Sequence, residues 1–246
     1  MSGLSFADVM DDSILVYLED HTRFVEWVTE RTGGGADEMS LDFDKQQITY
    51  RPKLHKRDEV IAPIHLLGSV ADEERTAMWA WANEHFRGLP VARMVERVKD
   101  FGTSQGVQEL TQPEITIPPD DGIDRLAAIA TTMAAVSCRI TGIPTAQIMT
   151  GSGVRLVMLV DAAGFTPVTP SGLSFPRILM NAITAPGWVH DHRRATQGYA
   201  QARKLPHGWE PNFHALNIGF PEGNLRVAFD DAGRVGDITT QFGPAR

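Results

Sequence analysis

The chain has 246 residues, of which 42% are hydrophobic and 22% charged, as is usual for one large globular domain or two small ones. Its net charge of −8 argues against nucleic acid as a partner, because binding to a phosphate backbone needs a basic surface. The single cysteine, Cys138, excludes an intramolecular disulfide and a multi-cysteine metal site.

The first predicted element is a long helix over residues 5–31, which the glycines at 33–35 end. Apolar or aromatic residues and one histidine recur along one side of this helix at spacings of three, four and seven. This stripe is formed by Met10, Ile14, Tyr17, His21, Phe24 and Val28. A histidine on such a stripe is more typical of packing than of ligand binding.

Two predicted hairpins follow, over residues 39–50 and 61–83. The second ends in the stretch T-A-M-W-A-W-A-N, which we predict to be a central strand over residues 76–83. Alternation in a strand places Trp79, Trp81 and Asn83 on one face and small apolar residues on the other. The indoles either fill the core, as large aromatic side chains usually do, or line a pocket with Asn83. Asn83 is also suited to cap the turn that follows.

The middle of the chain is predicted to form helices and a third hairpin. A helix is expected over residues 90–101, then a proline-rich loop over 102–121. An alanine-rich helix then runs from a cap at Asp120 or Asp121 to Ile140 and carries Cys138 as inert packing. The hairpin at 146–160 turns at T-G-S-G, which fits neither a nucleophile elbow nor a phosphate-binding loop.

The loop at 161–170 is the best candidate for a boundary. Helices are predicted over residues 175–183 and 187–204, and strands over 213–219, 224–230 and 234–242, with an irregular loop at 205–211. We therefore predict an α+β fold of antiparallel, hairpin-built sheets covered by helices. Residues 1–165 would form one domain and 166–246 a helix plus three-stranded unit. One merged domain is the alternative. Residues 43–49 and 229–239 are loosely similar in sequence, so a chain built from two similar subdomains is a further alternative.

One segment resembles a known family. L-L-G-S at residues 66–69, an acidic turn and M-W-A-W-A-N at 78–83 are similar to the hallmark of a bacterial domain-of-unknown-function family. The alanine-rich helix and the third hairpin resemble the elements that follow there, so the resemblance covers residues 40–160. That family has no assigned activity, so the resemblance implies no catalytic residue.

The richest polar cluster is His190-Asp191-His192-Arg193-Arg194. Metal-binding histidines on a helix are four residues apart, and these are two apart. In an extended segment they would share a face and could hold a metal with His207 or His214. A charged turn at the start of a helix is the plainer interpretation, and Arg193 with Arg194 could bind an anionic group. We expect no cofactor, because no cofactor fingerprint is present.

Three functions remain open. We favour a non-catalytic protein-binding or accessory protein of the immunity-like or chaperone-like kind, whose partner is another protein or a second copy of the chain. The alternatives are a small-molecule binder with a pocket beside Trp79 and Trp81, and a hydrolase that uses His190 or His192. The N-terminus lacks the basic start of a signal peptide, and no apolar run reaches the about 20 residues of a membrane span. We therefore expect a cytoplasmic protein without a membrane partner.

Overall fold

The structure, a computed structural model, describes residues 3–34, 39–52, 58–120 and 122–242. These residues form five α-helices and two antiparallel sheets, which confirms the predicted α+β class. The chain groups into two compact units. Unit one comprises residues 1–6 and 20–167, and unit two comprises residues 7–19 and 168–246. The division into domains at residue 165 stays a prediction.

The helices are α1 (Phe6–Thr32), α2 (Arg93–Gln105), α3 (Arg125–Thr141), α4 (Phe175–Thr184) and α5 (His192–Ala202). The strands of unit one are β1 (Met39–Asp42), β2 (Gln47–Tyr50), β3 (Val60–Ala71), β4 (Thr76–Trp79), β5 (Glu114–Thr116), β6 (Thr145–Gly151) and β7 (Val154–Val160). Those of unit two are β8 (His207–Trp209), β9 (Ala215–Phe220), β10 (Gly223–Phe229) and β11 (Val235–Phe242). Over the part of the chain that the structure describes, none of the helices contains the run of apolar residues that a membrane span requires.

The long first helix and its stripe are confirmed. The five apolar stripe residues are buried, each at most 5% exposed: Met10, Ile14, Tyr17, Phe24 and Val28. His21 lies on the same row, and burial lowers its pKa. The helix ends at Gly33, whose left-handed φ of 69° suits a residue without a side chain.

Strand β3 organises the sheet of unit one. It pairs with β2 over residues 60–63, with β7 over residues 64–71 and with β4 over residues 68–71. Gly68 lies opposite Trp79, where a Cβ would come within 2.2 Å of the Met78 carbonyl oxygen. Only glycine lets the two strands approach so closely.

The prediction of a strand over residues 76–83 is wrong beyond Trp79. The carbonyl of Trp79 accepts the backbone N–H groups of Ala82 and Asn83, at 2.9 and 3.2 Å, so the chain turns there. Alternation of large and small residues could not reveal this turn, because it fits an extended strand equally well. The two indoles therefore do not share a strand face.

Two boundaries before α3 also differ from the predictions. The residue that caps α3 is Asp124, whose Oδ1 accepts the backbone N–H of Ala127 at 2.9 Å. Asp120 is instead 2.9 Å from Arg75 Nη2, and Asp121 lies outside the described residues. Helix α2 continues to Gln105, and the predicted proline-rich loop contains β5, which pairs with β4.

Unit two contains a four-stranded sheet in the order β11-β10-β9-β8. Helix α4 and the three predicted strands are confirmed. The fourth strand, β8, lies within the stretch predicted as an irregular loop, and α5 begins at His192 instead of residue 187. A repeat of two similar subdomains is not confirmed, since one sheet has seven strands and the other four.

Candidate functional site

The polar cluster at residues 190–194 forms the start of α5. Asp191 caps the helix, because its Oδ1 accepts the backbone N–H groups of Arg193 and Arg194 at 2.9 and 3.1 Å. The backbone of His190 and Asp191 is held in turn by Asp11 of α1. Its two carboxylate oxygens accept those two N–H groups at 2.9 Å each, and the side chain is 2% exposed.

Arg194 is held by two carboxylates of the same helix. Its Nη1 donates to Asp8 Oδ1 at 2.9 Å, and its Nε and Nη2 form a forked pair with Asp12 at 2.9 and 2.6 Å. Such forked pairs fix both position and orientation. The guanidinium of Arg194 is thus already paired with two carboxylates. An anionic ligand would have to displace them in order to bind it.

A close helix crossing supports these contacts. A Cβ on Gly198 of α5 would lie 2.8 Å from the Cα of Asp12, so the absence of a side chain permits the approach of the two backbones. Further along, Glu19 accepts hydrogen bonds from the Tyr199 hydroxyl at 3.0 Å and from Arg203 Nη2 at 2.7 Å. Burial, together with the charge of Glu19, raises the pKa of Tyr199. The phenol therefore stays protonated and donates.

The two histidines have opposite environments. His190 is half-exposed, its Nδ1 lies 3.5 Å from Asp11 Oδ1, and that carboxylate raises the pKa of His190. Burial lowers the pKa of His192, whose Nδ1 accepts the backbone N–H of Val235 at 3.1 Å. In the neutral His192 ring the proton is therefore on Nε2. Over the described part of the chain, no three His, Cys, Asp or Glu side chains are arranged to hold a metal ion.

Arg193 has a different environment from Arg194. Its Nη2 donates to the carbonyl of Asp230 at 3.2 Å, and its guanidinium carbon lies 5.8 Å from the centroid of the Phe229 ring. Its Nε has no hydrogen-bond partner among the described residues. Arg193 is therefore the arginine of the cluster that retains an unpaired donor.

A cleft of about 630 Å³ lies along α5 in unit two, and we call it the α5 cleft. The Asp12–Arg194 pair borders it, and its other principal lining residues are Arg193, Gln197, Gln201, Trp209, Asn212 and Phe213. This volume is in the range of ligand-binding clefts. The lining combines amide side chains, two arginines, two carboxylates and two aromatic rings.

The aromatic side of the α5 cleft is built on an unusual backbone. Asn212 and Phe213 both have left-handed φ angles, 64° and 56°. This conformation is uncommon for any residue with a side chain and is an outlier for a bulky one. The Phe213 ring, 5.6 Å from the Trp209 ring between centroids, is 62% exposed. The backbone therefore holds a large apolar ring in solvent.

The other predicted site residues lie in unit one. Trp79 is fully buried, and its Nε1 donates to the carbonyl of Glu109 at 2.8 Å. Trp81 is half-buried, with the Lys99 ammonium 4.1 Å from its ring centroid, and its Nε1 has no acceptor among the described residues. Asn83 Oδ1 accepts the backbone N–H of His85 at 2.9 Å, as a turn-capping residue does.

Several residues of the site were not expected from the sequence. Asp8, Asp11 and Asp12 are three and four residues apart on α1, which places them on one face of that helix. The acids at this spacing were a local signal that the helix has a polar partner. Phe213 carried no comparable signal, because its exposure depends on the backbone conformation.

The resemblance to a family without assigned activity is confirmed by a family model that also covers α1 from residue 7 onwards. No significant match to the chain was found among curated proteins or among solved structures. The chain belongs to the family of unknown function DUF6882, whose model matches residues 7–163.

Proposed function

We propose that the chain is a non-catalytic protein-binding module and that its α5 cleft receives a segment of a partner polypeptide. The observation that carries this proposal is the presentation of Phe213. Left-handed backbone at a residue with a side chain costs about 1–3 kcal/mol. Because the Phe213 ring is 62% exposed, its burial within the chain contributes little free energy to offset this strain. Such strain is typical of sites where a side chain is held ready for a ligand.

The chemistry of the cleft suits a polypeptide. Asp12 and Arg194 neutralise each other, so the cleft does not demand a strongly charged ligand. Gln201 and Asn212 each offer a donor and an acceptor, which match backbone N–H and carbonyl groups. Tryptophan and arginine, here Trp209 and Arg193, dominate the binding energy of protein interfaces. The partner segment would place an apolar side chain against Phe213 and its backbone along the amides.

We extend this proposal to an intracellular accessory role of the immunity-like or chaperone-like kind. Its support is the acidic net charge, which favours proteins over nucleic acids as partners, and the single cysteine, Cys138, which is a free, buried thiol. A reducing compartment suits a chain that uses no disulfide.

Selection of a phage-displayed peptide library against the full chain tests the proposal. The decisive variant is Phe213→Gly, which removes the ring while relieving the left-handed backbone. We expect selected peptides to bind Phe213→Gly at least about tenfold more weakly, whereas Phe213→Gly unfolds at no lower denaturant concentration than the natural chain. Leu173→Ala is the matched control, because Leu173 is also a large apolar residue, 71% exposed, in unit two.

Equal binding by the natural chain and Phe213→Gly would overturn the assignment of the cleft. A library that yields no binding peptide, together with binding of glycans that depends on Phe213, would replace the polypeptide by a carbohydrate ligand.

A hydrolase is a second candidate, favoured by the pairing of His190 with the buried Asp11 carboxylate. A carboxylate that orients a histidine is a recurring part of nucleophilic active sites. Turnover of simple esters or phosphoesters that disappears in both His190→Ala and Asp11→Asn would support it. Turnover that is unchanged in His190→Ala would contradict the hydrolase hypothesis. The pocket beside Trp79 and Trp81 stays a prediction, and the unpaired Nε1 of Trp81 is its support.

A further inference from the structure

The four-stranded sheet of unit two has an open edge at β11. Among the described residues, this strand pairs with β10 alone. Five of its eight residues are exposed: Gly236, Asp237, Thr239, Thr240 and Gln241. A strand at the end of a sheet presents unpaired N–H and carbonyl groups, which are a template for another strand.

The sequence of β11 lacks the usual protection of such an edge. Lysine, proline and inward-pointing charges normally prevent edge-to-edge pairing, and β11 contains only one charge, Asp237. The pairing with β10 skips Gly236, which forms a bulge, and His192 accepts the N–H of Val235. Both features protect only the beginning of the strand. Residues 237–242 remain, and their Thr, Ile and Phe side chains favour extended structure.

We propose that the β11 edge pairs with the β11 edge of a second copy of the chain. The two faces of the strand set the register. Ile238 lies opposite the buried Val227 of β10, and Thr239 lies opposite Arg226 on the other face. In an antiparallel pairing, the Ile238 faces of the two strands lie on the same side of the joined sheet only if opposite residues are both even-numbered or both odd-numbered.

A two-fold axis through Thr239 satisfies this condition and matches the side chains. Thr239 then lies opposite Thr239 of the second copy, and Ile238 opposite Thr240. Asp237 lies opposite Gln241, so each carboxylate meets an amide that donates hydrogen bonds, and no like charges face each other. This self-complementarity selects a second copy as the occupant, and the proposal is independent of the α5 cleft.

Cysteine cross-linking in the full chain tests both the partner and the register. Opposite residues of an antiparallel pair have Cα atoms about 4.5–5.5 Å apart, which a disulfide can bridge. We expect Thr239→Cys to form a cross-linked dimer under a mild oxidant. Gln241→Cys is the control, since its two copies would lie about 14 Å apart. Cys138 is buried and does not interfere. Equal cross-linking of both variants, or of neither, overturns the proposal.

Charge variants test the same edge in solution by sedimentation. Thr239→Lys and Thr239→Glu each place like charges opposite each other on the axis, so we expect each to weaken the dimer at least about tenfold. An equimolar mixture should restore it as a heterodimer. Asn224→Lys is the matched control, because it adds the same charge to an exposed position of β10, away from the edge. A monomeric natural chain, or a dimer equally stable in all variants, refutes the pairing.

Discussion

Replacing Asp11 by Ala removes the carboxylate that holds the start of α5. Both of its oxygens accept backbone N–H groups, those of His190 and Asp191, at 2.9 Å. A hydrogen bond to a charged acceptor contributes about 1.5–3 kcal/mol. Because His190 and Asp191 are exposed residues, water replaces part of this contribution, and we expect Asp11→Ala to lose about 2–4 kcal/mol of unfolding free energy.

Urea unfolding followed by far-ultraviolet circular dichroism measures this loss. For a chain of this size it corresponds to a fall of about 4–16 °C in Tm. Asp44→Ala removes the same charge from an exposed turn and should stay within about 0.5 kcal/mol of the natural chain. Asp11→Asn keeps one acceptor, so its loss of unfolding free energy should lie between those of the two alanine variants. If Asp11→Ala and Asp44→Ala unfold at the same urea concentration, the carboxylate does not organise α5.

Three further predictions concern the same regions. The pairing of His190 with Asp11 stabilises the fold fully below the ordinary pKa of 6.5 and loses this effect as the pH rises through the raised folded pKa. His190→Gln should therefore lower the urea midpoint more at about pH 6 than at about pH 9, and an equal loss at both would contradict this. Gly198→Ala should destabilise by about 1–3 kcal/mol, because its Cβ would clash with backbone. Gly208→Ala, with nothing within 4 Å, should have no comparable effect in the same titration. Burial raises the pKa of the Cys138 thiol, so a thiol reagent should label it only after denaturation, and rapid labelling of the native chain would refute this.

The hairpins were predictable wherever alternation and turn chemistry agree. The strands β6 and β7 meet at T-G-S-G, where Ser152 and Gly153 form the turn and have left-handed φ angles. The helix α1 was predictable from its stripe. These are local signals, and a single stretch of sequence contains all the information needed.

Short strands and element ends were less predictable. β5 and β8 have three residues each, too few to show alternation, and only their pairing with longer strands defines them. Trp188 and His190 suit a helix as well as a loop, so the start of α5 was placed too early. Its position depends on the cap formed by Asp191 and on the distant Asp11.

The candidate site was predictable only in part. The cluster at residues 190–194 stood out as polar sequence, but its partners Asp8, Asp11 and Asp12 lie about 180 residues earlier in the chain. Local patterns carry no information about such a pairing. The exposure of Phe213 depends on two backbone angles, and neither composition nor spacing encodes them.

The division of α1 between the two units has a consequence for folding during synthesis. Residues 7–19 leave the ribosome long before residues 168–246, yet unit two is complete only when both are present. Until then Met10, Ile14 and Leu15, all buried in the folded chain, have no complete core to enter. Apolar surface that stays exposed while the chain is incomplete is prone to aggregation, which chaperones counteract. We expect slow synthesis, which prolongs this exposure, to lower the yield of folded chain. Fragments that begin at residue 166 lack the carboxylates of Asp8, Asp11 and Asp12 that hold α5.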